Sequence, residues 1–173
     1  TCNVGANKPE YYGNYFAWGE TTTKSTYTQD NSLTYGLTIS ELHSQGYIDG
    51  DGNLTPSYDA ATVNWGGSWR IPTVDEILEL IDECTWTWII QGGKACYKVT
   101  GPNGNHIFLP AAGFRDGSSL YHPYYAGESG YYWGSTLDES ESDFACGLYF
   151  GSSYQYGVYG DCYHGRTVRP VSE

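Results

Sequence analysis

The first regular pattern along the chain is aromatic. Residues 10–20 (EYYGNYFAWGE) alternate aromatic with small or polar positions between Gly13 and Gly19, which predicts a strand. Residues 21–36 are rich in Thr, Ser and Asn and predict a surface loop. Thr38 and Glu41 then stand at the spacing of a capping box, in which a hydroxyl satisfies a free backbone N–H while the carboxylate reaches back. A short helix ending near Gly46 follows from it. A stronger helical signal comes later. Thr73 and Glu76 form a second capping box, and Ile77, Leu80, Ile81 and Cys84 fall at i, i+3, i+4 and i+7 on one apolar face. Cys84 is expected there as a small buried hydrophobe. Arg70, between Trp69 and Ile71, suits either an anion site or a guanidinium tied to a carboxylate or carbonyls. Its apolar neighbours favour the tie.

From Thr85 the period changes to two. TWTWII, KACYKVTG and NHIFLPAAG predict three strands, with a tight hairpin turn at GPNG. GFRDG (113–117) predicts a turn and SSLYHPYYAGESG a loop with an aromatic cluster. A strand resumes at Tyr131 to Trp133, residues 137–143 form an acidic loop, and final strands are expected at about 143–151, 153–160 and 166–171. Alternation places Leu148 and Phe150 together on a core face, so Gly147 and Tyr149 point outward, and Tyr154 and Tyr156 share a face.

One stretch departs from the rest in composition. Residues 145–166 (ACGLYFGSSYQYGVYGDCYHGR) hold five Tyr and five Gly and no Lys, Glu, Trp, Met or Pro. Tyr offers broad amphipathic contact area at low entropic cost, and Ser and Gly offer adaptable hydrogen bonding. A row of exposed tyrosines exceeds what solubility needs, which marks a binding patch. The candidate ligand-binding residues are Gly147, Tyr149, Ser152, Tyr154, Tyr156, Tyr159, Asp161, Tyr163 and His164.

The totals narrow the function classes. At 173 residues the chain is one domain with room for a core, and 17% aromatic content does not suit disorder. The formal net charge is -12, and no Lys or Arg lies between Arg115 and Arg166 while seven acids do. DNA, RNA and anionic membranes are therefore poor partners, because binding them needs a basic patch. No apolar run is long enough to span a bilayer, so direct membrane insertion is not expected. No leader is visible at Thr1, so the N-terminus does not indicate localisation. The five cysteines (2, 84, 96, 146, 162) are odd in number and lack CxxC spacing, which argues against zinc. A cross-link between Cys146 and Cys162 is left open.

Candidate chemistry is sparse. YIDGDGN (47–53) places Asp49, Asp51 and Asn53 like the first ligands of a calcium loop, but Leu54 and Ala60 stand where that loop needs Gly and Glu. A polar turn is the preferred reading. His43, His106, His122 and His164 are scattered, and no nucleophile elbow, zinc-binding helix or phosphate loop is present. The carboxylates between 138 and 143 could in principle pair for glycoside cleavage, yet such a run suits a solvated loop better. No catalytic residue, metal or cofactor is expected.

WRIPTVDEILELI, YYWGST and GRTVRPVSE resemble the signatures of C-type-lectin-like domains, in the branch related to formylglycine-generating enzymes and bacterial surface domains. TCNVGA and YFAWGE match the N-terminal part of that pattern, so the resemblance covers nearly the whole chain. It implies one α+β domain over 1–173, a C-type-lectin-like fold with two helices and twisted antiparallel β-sheets, its first strand missing before Thr1. The enzymes of that branch use two closely spaced C-terminal cysteines. Cys146 and Cys162 are 16 apart, so that activity is not carried over. The Glu-Pro-Asn and Gln-Pro-Asp motifs of calcium-dependent sugar binding are absent.

Residues 145–166 further resemble the variable region of proteins diversified by retroelements that randomise adenines in AAY codons. Lys, Glu, Trp and Met are unreachable from such codons, and none occurs there. Gln155, also unreachable, is then a framework position. The resemblance implies a monomeric display domain at a cell surface, secreted, or on a phage virion, binding a protein or glycan ligand. The alternatives are an invariant structural or adhesion module and, last, an enzyme.

Overall fold

The computed structural model describes residues 1–120 and 126–172. Among them the chain forms three α-helices and four antiparallel sheets, an α+β architecture. The helices are α1 (Ile39–Ser44), α2 (Ala60–Trp65) and α3 (Val74–Glu83). Strands β2 (Thr85–Gln91), β3 (Lys94–Thr100) and β4 (His106–Pro110) form one three-stranded sheet. Strands β7 (Gly130–Leu137), β8 (Phe144–Gly151) and β9 (Tyr154–Asp161) form the other. Two short ribbons complete the set: β1 (Trp69–Arg70) with β10 (Val171–Ser172), and β5 (Arg115–Asp116) with β6 (Ser119–Leu120).

Both capping boxes form as their spacing requires. Glu76 does more than cap. Its carboxylate takes a bidentate pair of bonds from Arg70, at 2.6 and 2.8 Å, and Arg70 holds it below the usual carboxylate range. The tie at Arg70 is therefore to a carboxylate. Ile77 is buried, but Cys84 sits at the C-cap of α3, half-buried, because the chain turns extended there.

The third helix corrects the expectation of two. Asp59 caps α2 through Oδ1, which accepts from Ala61 and Thr62, while Oδ2 accepts from the Ile71 N–H. Six residues are too few to display a helical period. Residues 10–20 are not a strand. They make one bridge, Phe16 with Arg166, because Gly13 and Gly19 take left-handed φ values of 75° and 73°. Residues 166–171 are likewise mostly irregular. Val4 donates to Val168 O and Trp133 to Thr167 O, but ladder pairing is confined to β10, just after Pro170, which has no N–H to offer. The expected turn at GFRDG instead opens the β5–β6 hairpin. The core of the expected aromatic loop, with His122, lies at 121–125, outside the described residues.

Strand β8 sits centrally in its sheet and its two faces are buried differently. Cys146, Leu148 and Phe150 pack in a cluster with Ile77 of α3, Tyr97, Val99 and Leu109. On the opposite face Ala145 joins a second cluster with Phe16, Trp18, Trp133, Cys162 and Val168. Cys146 and Cys162 thus belong to different clusters, and all five cysteines are free thiols. Burial pushes the Cys146 thiol up to about 11, so it is a packed hydrophobe rather than a nucleophile.

Candidate ligand-binding face

The register of β7–β9 decides which predicted residues share a surface. Tyr131 pairs with Tyr149, and Tyr149 with Tyr156. A two-residue turn at Ser152 and Ser153 brings Tyr154 opposite Gly151. These tyrosines lie on the face opposite Leu148 and Phe150. Their rings touch. Tyr131 stacks on Tyr149 at 4.5 Å, Tyr149 meets Tyr156 edge-on at 5.2 Å, and Tyr154 stacks on Tyr156 at 5.6 Å. The Tyr149 and Tyr154 hydroxyls lie 2.6 Å apart, and burial with that bond pushes the Tyr149 phenol up to about 12.

The aromatic row runs on past the strands. Phe114 lies 4.8 Å from Tyr131 and 4.9 Å from His164, Tyr163 lies 4.4 Å from His164, and Tyr35 meets Tyr163 edge-on at 5.2 Å. Tyr35 comes from the loop before α1, which the Asp143 carboxylate secures by accepting from the Gly36 N–H at 2.6 Å. Eight rings from four separate segments therefore make one ladder. Tyr35, Phe114 and Tyr131 were missed in the sequence because they lie outside the tyrosine-rich stretch. Their membership follows from register and loop docking, to which local composition is blind.

Three of the predicted residues stand elsewhere. Tyr159 pairs with Cys146 and so projects from the α3 side of the sheet, 53% exposed but apart from the ladder. Gly147 is on the ladder face yet buried, because a β-carbon there would meet the Tyr132 carbonyl and the Arg166 guanidinium. It is framework, not contact surface. Ser152 is exposed at the hairpin tip, beside the rings rather than among them. Tyr149, Tyr154, Tyr156, Tyr163 and His164 are brought together, and Asp161 borders them. His164 Nδ1 is 3.7 Å from Asp161 Oδ2, too long for a hydrogen bond. Burial, helped by the Arg166 charge, holds the imidazole down at about 4, so it is neutral at pH 7 and the contact is not an ion pair.

Chemically the face offers aromatic area with phenol tips. Among the described residues no three His, Cys, Asp or Glu are grouped to hold a metal ion. In the Asp49 turn, Oδ1 accepts from the Asp51 and Asn53 N–H groups at 3.0 Å, the geometry of a polar turn. No helix of the described residues is long and apolar enough to cross a membrane. Comparison with known protein families, with curated proteins and with solved structures finds no match.

Proposed function

We propose that the protein is a non-catalytic display domain of C-type-lectin-like fold that binds a protein or glycan ligand on the aromatic ladder. The observation that carries this reading is the ladder itself. Tyr154 and Tyr156 expose 37% and 47% of their surface, while on the other face of the same sheet Leu148 and Phe150 are buried. Rigid aromatic side chains on a paired sheet lose little entropy on binding, so contact area converts efficiently to affinity. In this reading residues 145–166 are a diversified region and the domain acts as a monomer at a cell surface, secreted, or on a virion. The face was drawn from positions reachable through AAY codons, with Gln155, whose side chain is only partly exposed, retained as framework.

The coding gene tests the diversification directly. AAY-derived codons should concentrate at Tyr149, Tyr154, Tyr156, Tyr163 and His164, with a near-identical template copy close to the gene. An ordinary codon spread and no template copy would leave an invariant adhesion or structural module in its place.

A further inference from the structure

Arg166 has an arrangement that the display reading alone does not require. It is 4% exposed, and its Nε and Nη1 groups have no hydrogen-bond partner. Among the described residues no carboxylate stands within ion-pair distance of it. A buried, unpaired guanidinium is costly, and apolar residues of similar volume are often as stable or better in such places. Around it stand aromatic rings and glycines, with the Cys146 and Cys162 thiols and the Asp161 carboxylate near enough to favour its charge without bonding to it. The guanidinium lies 4.3 Å from the centre of the Trp133 ring and 5.5 Å from that of Tyr131, within the range of a cation–π contact. It fills the space that Gly147 and Gly160 leave open, since a β-carbon at Gly160 would coincide with it. The backbone of Arg166 is fixed as well, exchanging two hydrogen bonds with Phe16, at 2.9 and 3.0 Å.

We propose that Arg166 is the positioning residue of the aromatic face: its guanidinium, lodged against Trp133 and the glycines at 147 and 160, holds the Tyr131–Tyr149 stack from beneath and makes position 160 glycine-only within a stretch otherwise open to substitution, while at 147 the Tyr132 carbonyl is the nearer obstacle. The proposal supplies the floor of the face proposed above, and rests on that reading only for its purpose. The geometry is measured without any ligand, so a failure to find a ligand leaves it standing. The charge also reaches upward, because Arg166 helps keep His164 neutral.

The test uses Arg166→Met, which keeps most of the volume without the charge, and Arg166→Lys, which keeps the charge. In Arg166→Met the His164 imidazole, followed by NMR, should titrate higher than in the parent, because the charge that helps burial disfavour its protonation is gone. The Tyr131–Tyr149 ring contacts should weaken. In Arg166→Lys the His164 titration should stay low. Unchanged titration and ring contacts in Arg166→Met would reduce Arg166 to filler and overturn the proposal. Should Arg166→Met not fold, a library randomised at 147, 149, 156 and 160 and sorted for protease-resistant protein decides the matter. Glycine alone should survive at 147 and 160, with broad tolerance at 149 and 156. Free substitution at 160 would overturn the proposal.

Discussion

His164 ties the chemistry of the face to the stability of the fold. Its folded pKa of about 4 lies below the ordinary value of 6.5, so the unfolded chain binds the extra proton more readily. Stability from this group is complete above pH 6.5 and lost as pH falls toward 4, by up to about 3 kcal/mol. Urea denaturation of His164→Gln against the parent across that window should show a flatter acid limb in the variant. Phe150 makes the contrasting prediction. It is fully buried against Trp86, Tyr97 and Tyr132, so Phe150→Ala should cost about 3–5 kcal/mol by the same method. Tyr156→Ser should stay within about 0.5 kcal/mol. The inward placement of Leu148 and Phe150 was legible because alternation fixes parity within one strand. The placement of Tyr159 was not. It depends on the turn at Ser152 and Ser153, which sets Tyr149 opposite Tyr156 and Cys146 opposite Tyr159. A shift of one residue there would have reversed the faces of β9.

At the scale of elements, the helices show what a sequence can and cannot announce. Thr38 with Glu41 and Thr73 with Glu76 carry reciprocal signals four residues long, and α1 and α3 begin where those signals lie. Helix α2 has only Asp59 to mark it, and that residue also holds Ile71 at the entry to α3. Asp59→Ala therefore breaks a cap and leaves the buried Ile71 N–H without its partner. It should lower stability by about 2–3 kcal/mol, against about 1 kcal/mol for Thr38→Ala at an exposed cap, both read from denaturation midpoints. The hairpins from β2 to β4 were legible from period two and the GPNG turn. The segments 10–20 and 166–171 were not, because each is held by single bonds to distant partners rather than by a continuous ladder.

For the whole molecule, the architecture separates a framework from a face. Two core clusters grip β8 from either side. The charge of -12 is spread over a surface whose binding face is neutral aromatic, so affinity for the ligand should change little with added salt. The composition of 145–166 marked five of the ladder's rings but not its outline, since Tyr35 and the buried rings of Phe114 and Tyr131 join through tertiary contacts, and Gly147 and Tyr159 fall outside it. The most direct measurement is a screen of the purified protein on glycan and protein arrays, repeated with Tyr154→Ser/Tyr156→Ser and with Tyr159→Ser, each checked by thermal melting. Ligands that bind the parent and the Tyr159 variant but not the double variant, at nearly unchanged melting temperature, are the predicted result. Ligands that survive the double variant, or are lost with Tyr159 alone, would contradict the assignment of binding to the ladder.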